Sequence, residues 1–181
     1  MQVRAYRFWS SLLRTGHIPL IDDLPLDDLP DFGPSSLLVD LSGPRPVIPF
    51  LGDVLRAEAG LSAHGMTLDQ VPARSLLSRL TDRCAQIVAD RSAMGFEAEF
   101  INRNGRETLY RGLLLPFSSD GERADFVYGV ISWKEGAVSG ASLPLASLSP
   151  ADCSILRSKP ARPVWRDAAM SDWIQLGRKR N

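Results

Sequence analysis

Few residues in this chain have the chemistry of a catalytic or metal site, and they are widely separated. The sequence contains two histidines, His17 and His64, and two cysteines, Cys84 and Cys153. His64 precedes a glycine in a loop-like stretch and could ligate a haem iron, but a surface or turn histidine is the better interpretation because it has no identifiable partner. The spacing of these four residues suits neither a zinc site nor a disulfide framework.

Cys84 is predicted to pack in the core rather than to react. It falls on the apolar stripe of a predicted helix, where a free cysteine behaves as a small hydrophobic residue. A cysteine that forms a flavin adduct would need a context of the type NCRFLQ, whereas residues 82–86 of this chain are DRCAQ. We therefore expect no flavin at this position.

The remaining polar residues do not form a recognisable catalytic set. The serine pairs at residues 35–36 and 118–119 lie outside any Gly-x-Ser-x-Gly nucleophile elbow, and the sequence has no glycine-rich phosphate loop. Glu97 and Glu99 alternate with apolar residues, which favours a solvated strand face over a pair of catalytic carboxylates. The sequence thus predicts no catalytic residue, no metal site and no bound cofactor.

Length and composition predict one globular domain with terminal extensions. The 181 residues are 44% hydrophobic and 23% charged, as in ordinary folded proteins. Lys and Arg together number 21, equal to Asp and Glu, so bulk charge does not indicate nucleic-acid binding. No apolar run approaches the roughly 18 residues of a membrane span, and residues 1–11 lack the features of a signal peptide. We expect a cytoplasmic protein.

Three consecutive strands are predicted in the second half of the chain, and the other elements must pack against them. Apolar and charged residues alternate from Phe96 to Phe100, as in a half-buried strand. The second and third strands are predicted at residues 107–117 and 126–133. A two-residue turn at Asn104-Gly105 joins the first strand to the second, and a turn at Asp120-Gly121 joins the second to the third. Such a sheet has an apolar face that must be buried.

Helical periodicity predicts the elements that cover this sheet. The strongest stripe lies in a helix over residues 73–89, which includes Leu80 and Cys84 and is expected to cover one concave face. Pro46 and Pro49 cannot donate to a ladder, which favours an edge position for an extended segment at residues 45–51. Further predictions are helices at residues 3–14 and 53–60, a strand at residues 37–41 and a turn at residues 67–71.

Three stretches of the sequence resemble a bacterial family of PAS-like domains. They are LPLDDLPDFGPSSLLVDL (residues 24–41), FLGDVLRAEAGLSAHGMTLDQVP (50–72) and LYRGLLLPFSSDG (109–121). The resemblance covers residues 6–133, and the run LLLPFSSDG carries most of it. It implies an α+β fold with a five-stranded antiparallel sheet of order 2-1-5-4-3 and helices on one face, extended here by N- and C-terminal helices. It also implies a PAS-like domain at residues 17–135.

PAS domains sense small ligands, bind cofactors or mediate protein contacts, so the resemblance implies a cavity beside the sheet. The residues expected to line a small-molecule pocket are Leu80, Cys84, Phe100, Leu113, Leu115, Tyr128 and Val130. Two hypotheses remain: a stand-alone sensory or protein-interaction module in bacterial signalling, and a small enzyme or carrier that binds an apolar molecule in the sheet cavity.

The two ends of the chain are the candidate interaction surfaces. The N-terminal helix segment is residues 1–16, and the C-terminal segment, residues 163–181, combines a helix at about residues 163–176 with a basic tail. A Pro/Gly/Ser-rich linker at residues 136–162 precedes the second segment, and each helix carries an apolar stripe. The stripe residues are Phe8, Trp9 and Leu12 at one end and Trp165, Trp173 and Leu176 at the other. These helices either pair subunits, as in a homodimer or with another signalling protein, or dock on their own sheet.

The absence of a residue set that could hold a prosthetic group leads to a simple spectroscopic prediction. We expect freshly purified protein to show no absorption in the Soret region or in the flavin bands beyond the aromatic ultraviolet envelope. Stoichiometric absorption in either region would show that the chain holds a haem or flavin through residues that sequence reasoning failed to identify.

Overall fold

The computed structural model describes residues 1–14, 18–61, 65–138 and 166–168, which form an α+β fold. One antiparallel sheet lies between helices on both of its faces. The α-helices are α1 (Gln2–Leu12), α2 (Asp53–Ala59), α3 (Leu76–Thr81) and α4 (Cys84–Asp90). The strands are β1 (Ser36–Asp40), β2 (Val47–Leu51), β3 (Met66–Thr67), β4 (Met94–Ile101), β5 (Arg106–Phe117), β6 (Phe126–Val138) and β7 (Arg166–Ala168). Short 3-10 helices occupy Ile21–Asp23, Leu26–Asp28, Gly33–Ser35 and Leu68–Gln70.

The sheet has more strands than the sequence predicted. Its order is β3-β2-β1-β6-β5-β4, with the three-residue β7 beside β4, so the five-stranded prediction is wrong. Strand β3 has only two residues, too few to show an alternating pattern in a sequence. When β3 and β7 are set aside and the five longer strands are renumbered along the chain, their order reads 2-1-5-4-3.

Strand β2 lies one place inside the edge position predicted for it. It pairs with β1 on one side and, through Val47 and Ile48, with β3 on the other. Pro49 lies beyond the end of β3, and the β1 register shifts between Leu38 and Asp40 near this proline. A proline is tolerated in a strand at such an irregularity, because it has few ladder hydrogen bonds to lose.

The connection between β4 and β5 differs from the predicted two-residue turn. Asn102 organises it, because its side-chain Oδ1 accepts hydrogen bonds from the backbone N–H groups of Asn104 and Arg106, at 2.9 and 3.0 Å. Within this turn only Gly105 has a positive φ angle, 71°, so the turn is longer than the Asn-Gly type with two positive φ angles.

Helices cover both faces of the sheet, which corrects the expectation of helices on one face. Side chains alternate along a strand, so apolar runs in the central strands place apolar groups on both sides. On the first face, called here the α3–α4 face, Leu37, Val39, Phe96, Tyr110 and Leu114 pack with α2, α3 and α4. On the opposite face, called the α1 face, Leu38, Leu113, Leu115, Tyr128 and Val130 pack with α1 and the segment that follows it.

The N-terminal helix docks on its own sheet. Ala5 is fully buried, and the Trp9 side chain is only 7% exposed. The Trp9 indole N–H donates to the backbone carbonyl of Pro116 at 2.9 Å, which satisfies the polar group of this buried aromatic. Phe8 and Leu12 are half-buried against the same cluster. For α1, therefore, the structure agrees with intramolecular docking.

The long helix predicted at residues 73–89 is two helices. Ser75 caps α3 by accepting a hydrogen bond from the Ser78 N–H at 3.2 Å, so the helix begins at Leu76. The chain leaves helical geometry at Arg83, with φ −112° and ψ 0°, and its guanidinium lies 5.6 Å from the Phe96 ring centroid. Leu80 and Cys84 are still buried on one face.

The C-terminal predictions fall mostly outside the described residues. β6 continues to Val138, so the predicted linker at residues 136–162 does not begin at residue 136. Arg166–Ala168 form a strand paired with β4, not part of the helix predicted there. Residues 139–165 and 169–181 lie outside the described residues, and with them Trp165, Trp173 and Leu176.

Leu80 provides a test of the packing on the α3–α4 face. We expect Leu80→Ala to lower the free energy of unfolding by about 2–5 kcal/mol, because the truncation leaves a cavity at a side chain with 0% exposure. Leu13→Ala is the matched control, since Leu13 is 44% exposed, and should cost less than about 1 kcal/mol. Urea denaturation followed by circular dichroism measures both. Equal stabilities of the two variants would contradict this placement.

Candidate functional site

The predicted ligand-pocket residues do not line one cavity. Leu80, Cys84 and Phe100 belong to the cluster on the α3–α4 face, whereas the other four predicted residues lie on the α1 face. These four are Leu113, Leu115, Tyr128 and Val130, in the central strands β5 and β6 as expected. The sheet separates the two groups, because odd and even positions of a strand point to opposite sides. The prediction had placed the central-strand side chains and the long helix on the same face.

Polar groups within these clusters are already engaged or inert. The Tyr128 hydroxyl donates to Ser36 Oγ at 2.7 Å, and burial raises the pKa of Tyr128 to about 12. Burial, with a smaller contribution from the charge of Asp82, raises the pKa of the Cys84 thiol to about 12. A thiol with such a pKa remains protonated at neutral pH and is a poor nucleophile. Cys84 therefore acts as a core residue, as the sequence indicated.

The turn that carries most of the PAS resemblance has a structural role. Asp120 Oδ1 accepts hydrogen bonds from the backbone N–H groups of Glu122 and Arg123, both at 2.9 Å. These bonds, the Arg123 bond first, hold the pKa of this exposed carboxyl below its usual range. Ser118 Oγ accepts from the N–H of Gly121, whose φ of 83° favours glycine. The Ser-Ser-Asp-Gly sequence thus shapes the connection from β5 to β6.

Three of the cavities that the described residues form are open surface clefts. One of about 340 Å³ lies between α4 and the β5–β6 connection, and another of about 730 Å³ lies beside the end of α1. Arg91 lines both of them. A third cleft of about 300 Å³ lies over β4, β5 and β6 and is lined by Glu97, Leu109, Tyr110, Arg111, Ser132, Trp133 and Lys134.

The third cleft belongs to a part of the α1 face that no described helix covers. Helix α1 has 11 residues and is about 16 Å long, whereas the 12 residues of β5 span about 40 Å. The helix reaches only as far as Gln2, whose side-chain amide donates to the Arg111 carbonyl at 2.8 Å and to Ser132 Oγ at 2.9 Å. The remaining surface, called here the open face, consists of Glu97, Glu99, Ile101, Leu109, Arg111, Ser132 and Lys134.

The open face combines exposed aliphatic groups with ordered charges. Leu109 is 53% exposed and Ile101 is 48% exposed. The strand register aligns Glu99, Leu109 and Lys134 in one row across β4, β5 and β6. In the next row Arg111 Nε lies 2.9 Å from Glu97 Oε2, so these two side chains form an ion pair whose charges cancel.

Sequence reasoning found part of this surface. It placed Glu97 and Glu99 on a solvated strand face, where they lie, but it did not single out Leu109 within the predicted strand at residues 107–117. The missing signal was length, since the predicted 12-residue helix at residues 3–14 is too short to cover an 11-residue strand at residues 107–117. Neither predicted histidine candidate can be placed, because His17 and His64 lie outside the described residues.

Three findings concern the class of protein. Among the residues that the structure describes, no group of three or more His, Cys, Asp and Glu side chains is arranged to hold a metal ion. In the same part of the chain, no helix has the length and apolar character needed to cross a bilayer. Comparison of the sequence with models of protein families and with curated proteins found no match.

Proposed function

We propose that this chain is a non-catalytic PAS-like module of bacterial signalling that acts by protein–protein interaction. The order of its five longer strands supports this proposal, because it is the order that the PAS resemblance implies. The division of the expected pocket residues between the two sheet faces favours the interaction role over a single interior ligand site. Leu80, Leu113, Leu115, Tyr128 and Val130 are all fully buried within these clusters. A small enzyme or carrier would instead need polar groups that converge on an internal cavity.

The partner that the open face fits best is a second copy of this chain. The observation that carries this proposal is the row formed by Glu99, Leu109 and Lys134, which is acidic on β4, apolar on β5 and basic on β6. Because the open face carries both signs of charge around an exposed leucine, a second copy can present a basic side chain to an acidic one.

Association of two open faces is energetically reasonable, because it removes the exposed aliphatic side chains of Leu109 and Ile101 from water. Contact between the exposed leucines supplies the apolar centre, while the charge pairs at the rim set the orientation of the two copies. Each rim pair contributes little by itself, about 0–1 kcal/mol. The neighbouring Arg111–Glu97 ion pair lies within one chain and adds no net charge to the interface.

Charge reversal tests this interface. We expect the wild-type chain to be a dimer, and Lys134→Glu to weaken dimerisation roughly tenfold because it leaves the open faces of both copies net acidic. Glu99→Lys should have a similar effect, and the double variant should regain affinity because it restores opposite charges. Sedimentation velocity over a concentration series measures the dissociation constants.

Two controls accompany the charge reversals. Glu122→Lys reverses an exposed glutamate at the other end of β5 and should leave dimerisation unchanged. Leu109→Asp should give a folded monomer, because it puts a like charge at the apolar centre of each open face, at a position that tolerates a polar group in the monomer. A monomeric wild-type chain, or a double variant no tighter than the single variants, would refute the proposed interface.

A further inference from the structure

Two of the surface clefts share Arg91, at the end of the sheet where β5 connects to β6. The cleft of about 340 Å³ lies between Val88 of α4, Leu41 after β1 and Ala124 of the β5–β6 connection. The cleft of about 730 Å³ lies between the C-terminal end of α1 and Gly121 of the same connection. Because Arg91 lines both clefts, they are neighbouring parts of one surface, called here the Arg91 surface.

The Arg91 surface offers apolar groups that are only partly protected from water. Leu13, directly after α1, lines the larger cleft and is 44% exposed. Ile18 lines the same cleft and is half-buried, as are Leu41 and Val88 in the smaller cleft. A partner that packs an apolar side chain here removes these groups from water, which favours binding.

Three arginines border the surface, and they differ in how they are held. Arg14 Nη2 lies 3.3 Å from Asp23 Oδ1, and Arg123 Nε lies 3.1 Å from Asp120 Oδ2, so a carboxylate of the same chain engages each of them. The Arg91 guanidinium makes no hydrogen bond or ion pair with any residue that the structure describes. Arg91 can therefore bind an incoming anion without giving up an existing partner.

We propose that the Arg91 surface binds an acidic peptide segment of a partner protein, in which carboxylates flank a large apolar side chain. The planar guanidinium of Arg91 can hold a carboxylate through two parallel hydrogen bonds. The apolar side chain of the segment packs on Leu13 and Ile18 in the larger cleft. Charge complementarity orients the segment, and the apolar contact supplies most of the buried surface.

The same lining disfavours other classes of anionic ligand. A small-molecule site encloses most of its ligand, whereas both of these clefts are open to solvent. A nucleic acid needs several neutralised phosphates and exposed aromatic rings on which its bases stack. Here the carboxylates of Glu122 and Asp125 lie among the arginines, and Trp9 is only 7% exposed.

The Arg91 surface is separate from the open face, so this inference goes beyond the proposed dimer. Leu109 of the open face and Phe117 at the end of β5 are eight residues apart along one strand, about 27 Å. An acidic segment can therefore bind at one end of β5 while a second copy occupies the other. The module would then join two different interactions on one sheet.

A peptide titration of the full chain, followed by amide chemical shifts in NMR spectra, tests this proposal. The probe is the peptide DEDLFEDE with an acetylated N-terminus and an amidated C-terminus, so that only its side chains are charged. We expect the amides of Leu13, Arg91 and Ala124 to shift, with a dissociation constant below about 1 mM. Arg91→Gln and Leu13→Ser should each weaken binding about fivefold, since one removes the cation and the other the apolar contact.

Two variants outside the surface are matched controls. Arg74→Gln removes another exposed arginine in the same left-handed backbone region, with φ 59° against 50° at Arg91, and Arg74 lines neither cleft. Val54→Ser removes another exposed aliphatic side chain, since Val54 is 45% exposed. Both variants should bind the peptide as tightly as the wild-type chain does.

Several outcomes would overturn the proposal. They are an absence of shifts at about 5 mM peptide, shifts confined to residues outside the Arg91 surface, and equal binding by Arg91→Gln and Arg74→Gln. Equal binding of the peptide DEDSSEDE would also overturn it, because the surface would then recognise negative charge alone. Tighter binding of an oligothymidine of eight nucleotides would assign the surface to nucleic acid instead.

Discussion

The long antiparallel pairing of β5 and β6 is the constraint on which the rest of the structure depends. Its register aligns Leu113 with Val130 and Leu115 with Tyr128 on one face, and Leu114 with Gly129 on the other. Both faces of this strand pair are apolar at one end, so each face must be buried by another element. Helix α1 packs on one face, and helices α3 and α4 pack on the other. The adjoining strands then follow, with β1 paired to β6 and β4 paired to β5.

The helices on the two faces of the sheet differ in extent, and this difference leaves the open face exposed. Helices α2, α3 and α4 pack together on the α3–α4 face. On the α1 face, the covered area extends only to the first residue of α1, Gln2, which binds the Arg111 carbonyl. Beyond that point the strands keep their backbone pairing but exchange buried leucines for Glu99, Leu109 and Lys134. A surface that is partly apolar and carries ordered charges on a rigid sheet is well suited to recognise a rigid partner, because little conformational entropy is lost on binding.

The elements with strong periodicity could be predicted from the sequence, whereas those set by tertiary contacts could not. The strands that became β5 and β6 were predicted to begin within one residue of their observed starts, because alternation and turn residues mark them locally. The division of the helix at Arg83 could not be predicted, since the arginine leaves helical geometry where it meets Phe96, which lies on a distant strand. The candidate site was harder to predict than the strands. The sequence shows which residues alternate, but the exposure of Leu109 depends on which part of the sheet face α1 covers, and only the packed structure shows that.

The indole–carbonyl hydrogen bond of α1 also has a consequence for the order of folding. Trp9 and Pro116 are 107 residues apart in the sequence, and the Ser36–Tyr128 bond spans 92 residues. Helix α1 is synthesised before β5 and β6 and therefore has no sheet to bind until those strands have left the ribosome and paired. During that interval the Trp9 side chain is exposed to other molecules. An element that precedes the sheet in the sequence thus reaches its native contacts only after the sheet has formed, and protection of Trp9 matters most in that interval.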